Sequence, residues 1–131
     1  MSFKKWFMEH INLLTEEILR CAFKVHTALG PGLLESSYKE CLFYELIKSD
    51  LIVEKEKPLP LVYEDVKLEI GYRIDLLVEN KVIIEIKAVE ALNDVHTAQV
   101  LTYLKLSGCK VGLLLNFNTN SLKNGIKRLV Y

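Results

Sequence analysis

The chain has 131 residues, half of them apolar and 26% charged, which suits one globular domain over residues 1–131 and leaves no room for two ordinary ones. Its 17 basic and 17 acidic side chains cancel, so no global positive field draws it to nucleic acid or to an anionic membrane, and any polyanion site must be local. Cys21, Cys41 and Cys109 are scattered and odd in number, which excludes a disulfide framework, a zinc ribbon and a four-cysteine iron–sulfur cluster within one chain.

At the start of the chain the apolar patch Trp6-Phe7-Met8 stops at Glu9 and His10, too short for a signal-peptide core. No apolar run approaches membrane-spanning length, so a cytoplasmic protein with no membrane partner is expected. Thr15 is placed to cap a helix whose first turn holds Glu16 and Glu17. Ile18, Ala22, Val25 and Leu29 then recur at helical spacing until Gly30-Pro31 ends the pattern. A second helix begins around residues 33–35 and runs to about Ser49, with Leu34, Tyr38, Cys41, Leu42 and Leu46 as its apolar stripe. Glu35 borders that stripe, three residues before Tyr38.

From Leu51 the period changes to two. "LIVEKE" reads as a short strand, Pro58 and Pro60 as an extended edge or loop, and "KLEIGYRIDLLV" and "KVIIEIKAV" as two longer strands joined at Glu79-Asn80. Asn93 or Asp94 caps a helix from Val95 to about Leu106, ended by Ser107-Gly108. "KVGLLLNF" is a continuous apolar strand of the kind buried on both faces, and the last stretch is a turn followed by an edge strand from Ile126. This order predicts a mixed β-sheet flanked by helices in an α/β fold, with a crossover through the helix after Asp94.

Chemistry concentrates in the hairpin. Glu85 and Lys87 are two apart and project from one strand face, with Ile84 and Ile86 on the other. An isolated E-x-K on a sheet is ordinarily a solvated salt bridge. Here Asp75 lies on the partner strand, and a carboxylate among apolar neighbours costs several kcal/mol unless it is paired or binds an ion. Two carboxylates with a carbonyl and water suit octahedral Mg²⁺ or Mn²⁺. The arrangement makes a demand on the turn: a two-residue loop puts Asp75 opposite Ile84 and on the wrong face, whereas a three-residue loop or a bulge puts it opposite Glu85. On the next helix Gln99 and Tyr103 share a face with His96, a spacing that equally describes a polar stripe toward solvent.

"GLLESSY", residues 32–38, is similar to the signature of the GxxExxY proteins, a small bacterial and archaeal group within the PD-(D/E)XK nuclease superfamily. The resemblance extends from "VHTALGPGLLESSY" through "IDLLVENKVIIEIKAV" and "HTAQVLTYLKLSG" to "LLLNFN", and is closest to the RecB-like branch. It implies a restriction-endonuclease-like core and a Mg²⁺- or Mn²⁺-dependent nuclease acting on nucleic acid, DNA before RNA. It further implies that Glu35, Asp75, Glu85 and Lys87 are catalytic, and that Asp75, Glu85 and Glu35 bind metal, joined in some relatives by a histidine at the place of His26. Gln99 and Tyr103 match the Q-x-x-x-Y pair beside the active site, and Tyr38 is expected to pack there and help position substrate. The proline of the superfamily's name is absent, Ile74 standing before Asp75. The alternatives are a noncatalytic nuclease-fold subunit that binds nucleic acid or protein, and a structural salt-bridge network. A neutral chain of this size also leaves open a homo-oligomer that grips a duplex with a second subunit.

Overall fold

The computed structural model describes all residues, Met1–Tyr131. Helix α1 spans Phe3–Leu29 and starts thirteen residues earlier than the Thr15 cap implies. No glycine or proline interrupts that stretch, and the Ser2 side chain takes the capping place by accepting from the Lys5 amide at 3.2 Å. Thr15 is buried within the helix, where its hydroxyl donates back to the Asn12 carbonyl at 3.1 Å. Helix α2 spans Glu35–Lys48 and buries Tyr38, Leu42 and Leu46, while Leu34 is exposed.

Between these helices the chain turns through Gly30 and Gly32, whose φ of 67° and 100° lie in the left-handed region that glycine alone enters freely. Tyr38 fastens this turn. Its hydroxyl donates to the Gly30 carbonyl at 2.6 Å and accepts from the Leu33 amide at 3.1 Å, and its ring stacks on Phe117 at 4.7 Å. The expectation that Tyr38 positions substrate is thereby corrected: the side chain is fully buried and its hydroxyl is spent on the loop.

Strands β1 (Val53–Pro58), β4 (Arg73–Val78), β5 (Val82–Lys87), β6 (Val111–Asn116) and β7 (Ile126–Val130) form a mixed sheet in the order β1-β4-β5-β6-β7. Only β5 and β6 are parallel, joined by the crossover helix α3 (Asp94–Ser107). The sheet and its flanking helices make the mixed α/β architecture that the sequence pattern predicts, in keeping with the restriction-endonuclease-like core that the resemblance implies. The expected long strand over residues 67–78 is instead divided. Strands β2 (Leu61–Tyr63) and β3 (Val66–Leu68) pair with each other as a separate hairpin, and the chain rejoins the main sheet at Arg73 after Gly71, at φ 87°.

Two apolar layers hold the sheet. Ile84, Ile86, Leu113 and Leu115 pack with Ile18, Leu42 and Leu46 of α1 and α2, while Ile83, Leu77 and Leu114 pack with Val100, Tyr103 and Leu104 of α3. Covered on both sides, β5 and β6 read as nearly continuous apolar runs. Asn93 caps α3 through amides of Val95 and His96 at 3.0 and 3.1 Å, and Gly108 ends it at φ 79°. No helix is long and apolar enough to cross a membrane.

Replacing Tyr38 by Phe keeps the stacked ring and removes both loop hydrogen bonds. It is expected to lower unfolding stability by about 1–2 kcal/mol, with Tyr38→Ala costing about 3–5 kcal/mol, read from urea denaturation midpoints.

Candidate active site

The β4–β5 hairpin turns through three residues, Glu79, Asn80 and Lys81, with Glu79 and Asn80 in the left-handed region at φ 53° and 54°. Pairing runs Val78↔Val82, Leu77↔Ile83 and Leu76↔Ile84, so the next residues outward are Asp75 and Glu85. This is the odd loop that places both carboxylates on one face. The ladder ends there, and side chains take over its hydrogen bonds. The Asp75 amide donates to Glu85 Oε1 at 3.2 Å, and the Ile86 amide donates to Asp75 Oδ2 at 2.9 Å.

Regular alternation also fails at this point. Ile74 joins Leu77 in the layer under α3, and Glu56, facing Asp75 across β1, has a φ of 54° within its strand. A non-glycine residue held there is strained, and surrounding contacts must fix it. One such contact is Lys39 of α2, whose Nζ lies 2.9 Å from Glu56 Oε1 and 4.0 Å from Asp75 Oδ1. Sequence reasoning missed Lys39. Its signal was available in the spacing, since it stands four residues after Glu35 on the same helix face.

Glu85 is only 3% exposed. Burial in the first place, and then the charge of Asp75 and a hydrogen bond with it, push the Glu85 carboxyl up to about 9, with Lys87 acting in the opposite direction. Near neutral pH the metal-free pair therefore keeps a proton. Tyr103 sits beside it on α3, and its phenol is raised by burial and next by the charge of Glu85. Gln99 Nε2 donates to the Tyr103 hydroxyl at 3.3 Å, which joins the two expected α3 residues to each other. Lys39 is half-buried; burial opposes its charge, but the Glu56 hydrogen bond and the Asp75 charge outweigh that and raise its pKa.

The structure does not bring all the expected residues together. His26 is buried against Phe117, with Nε2 2.8 Å from the Thr119 carbonyl, so its ring nitrogen ties α1 to the chain after β6 and is not turned to a metal. Glu35 is exposed in the first turn of α2, where the helix dipole favours it, and no cluster of three or more His, Cys, Asp or Glu side chains forms a metal-holding group. Those two members of the expected ligand set are corrected by their placement. His96 serves its own helix by accepting from the Asn93 amide at 3.1 Å. Lys87 is partly buried and leaves the strand next to Asn116, whose amide clamps Val89 through bonds of 3.1 and 2.9 Å.

The adjacent carboxylates of Asp75 and Glu85 are hard oxygen donors, and a pair of them fits Mg²⁺ or Mn²⁺, which commonly takes one or two carboxylates and completes its shell with water and phosphate oxygens. Buried Glu85 and half-buried Asp75, with Lys87 two residues on, thus stand together at the end of the inner strands of a mixed α/β sheet. The family model of the PD-(D/E)XK nuclease superfamily matches residues 12–129, and the chain belongs to that superfamily. Its nucleases generally use divalent metals. No curated protein and no solved structure matches the chain.

The raised Glu85 pKa has a definite sign in folding. Its ordinary value is 4.5 and its folded value about 9, so the folded metal-free protein holds the proton more tightly. The contribution is complete below the ordinary value and is lost as pH rises toward the folded one. In EDTA, the stability of the wild type relative to Glu85→Gln should fall as pH is raised between those limits, by up to about 1.4 kcal/mol per pH unit. Urea midpoints measured across that range check it, and a flat difference would show that Glu85 is already ionised.

Proposed function

We propose that the protein is a Mg²⁺- or Mn²⁺-dependent phosphodiesterase acting on nucleic acid, with DNA the first substrate class, and that it is a member of the GxxExxY group. The observation that carries this reading is the replacement of strand hydrogen bonds by the Asp75 and Glu85 carboxylates beside Lys87. A scaffold gains little by burying two acids at adjoining positions, whereas a cation site needs them there.

Asp75 and Glu85 would hold the metal. When bound, the metal supplies Lewis-acid polarisation of the scissile phosphate and lowers the pKa of water. Lys87 orients the attacking water and steadies the charge that develops on the phosphate oxygens. Lys39 screens Asp75 from Glu56 and offers a second cation to the phosphate. The Tyr103 hydroxyl, held by Gln99, bounds the site on the α3 side. Because the Glu85 proton must leave before a cation can bind, metal affinity rises with pH.

The net charge of zero favours a second reading, a noncatalytic subunit that keeps the metal site. Calorimetric Mn²⁺ titration of wild type and Glu85→Ala, followed by incubation with single-stranded DNA, duplex DNA and RNA, separates the two. Binding lost in Glu85→Ala is expected, together with cleavage that falls at least about 100-fold in Asp75→Asn and Lys87→Ala. Cleavage by Lys87→Ala equal to wild type would overturn the catalytic assignment. Binding without cleavage of any substrate would favour the subunit, and titration unaffected by Glu85→Ala would remove the metal site.

A further inference from the structure

A groove of about 310 Å³ lies between α3 and the chain segment that carries β2 and the return to β4. Leu61, Tyr72, Val95 and Leu106 line it, with Gln99 and Tyr103 on the α3 side. Tyr72 meets Tyr103 edge-on, with ring centroids 6.5 Å apart, and remains 45% exposed. Burying Tyr103 beside Glu85 therefore makes one side chain common to the groove and the candidate active site.

None of the eight residues that line the groove carries a charge. A phosphate would find no cation there, whereas Lys39 and Lys87 lie beside the carboxylate pair. The division sends the charged part of a nucleotide to the pair and an uncharged, flat, partly apolar part to the groove. At about 30 Å³ per water the groove holds the equivalent of some ten waters, the scale of a nucleobase and not of a duplex. In a duplex both faces of each base are already stacked, so the occupant must be an unpaired base.

We propose that this groove is a nucleobase subsite, in which Tyr72 stacks against an unpaired base next to the scissile phosphate and Gln99 offers its amide to the base edge. The substrate class is then single-stranded nucleic acid or a frayed end. This deepens the proposed function and rests on the carboxylate pair being the place where the phosphate is cut. Base–aromatic stacking is tolerant of sequence, so little base preference is expected.

The test uses fluorescence anisotropy of a labelled oligothymidylate and of a blunt duplex, with Ca²⁺ replacing Mg²⁺, for wild type, Tyr72→Ala and Tyr72→Phe. Cleavage kinetics with Mn²⁺ accompany it, and circular dichroism checks that each variant is folded. The single strand should bind more tightly than the duplex. Tyr72→Ala should weaken it about tenfold and raise KM with kcat retained, while Tyr72→Phe behaves as wild type. If nothing is cleaved but Tyr72→Ala still loses oligothymidylate affinity, the subsite stands and the catalytic reading fails. Cleavage with KM and affinity unmoved by Tyr72→Ala, or tighter binding of the duplex, overturns the subsite and leaves the groove as a surface for apolar side chains of a protein partner.

Discussion

Beyond Leu76 and Ile84 the two central strands stop pairing, and the amides of Asp75 and Ile86 would be left without partners inside the protein. The carboxylates of Glu85 and Asp75 take them. That exchange fixes the separation of the strands, forces two acids together, and sets the proton between them that burial then stabilises. An unpaired buried amide costs about 1–3 kcal/mol, so neither acid can leave without a penalty unless something else meets the amides. The candidate site and the folding of the hairpin are consequently one problem with one solution.

The surrounding elements keep that solution in place from several directions. Tyr38 ties the glycine turn to the start of α2, which delivers Lys39 to Asp75 and Glu56. Phe117, against which Tyr38 stacks, follows directly after Asn116. Asn116 in turn holds Val89 just past Lys87, and His26 anchors α1 to Thr119. Gly125 belongs to the same set, because a Cβ there would strike the Asn116 carbonyl. Residues that the resemblance assigns to the site are thus divided: Tyr38 and His26 build the frame, apart from the carboxylate pair.

Much of the fold was legible where burial on both faces leaves its mark as an unbroken apolar run, as in β5 and β6, or where a cap has its own chemistry, as at Asn93 and Gly108. The E-x-K spacing and the need for an odd turn gave the relation of Asp75 to Glu85, because a two-residue period is rigid geometry. Thr15 misled because a threonine hydroxyl bonds to a local carbonyl within a helix as readily as it caps one. The β2–β3 hairpin was hidden by an alternation that runs on through Gly71, where only the backbone reveals the break. Spacing on a helix gives direction to within part of a turn and says nothing of reach, so Glu35 was read into the cluster and Lys39, on the same face, was passed over.

The three-residue turn at Glu79–Lys81 also limits how this protein can vary over generations. Most surface turns absorb the gain or loss of a single codon, since only solvent is disturbed. Here the two strands are both packed above and below, and adding or removing one residue would set the parity of one strand against the other. Changes of turn length must then come in pairs, or together with a compensating bulge. A stretch with the exposure of an ordinary loop is therefore constrained as tightly in length as the core is in volume, and Glu79 is held as well, its carboxylate accepting from the Ile52 amide at 2.8 Å.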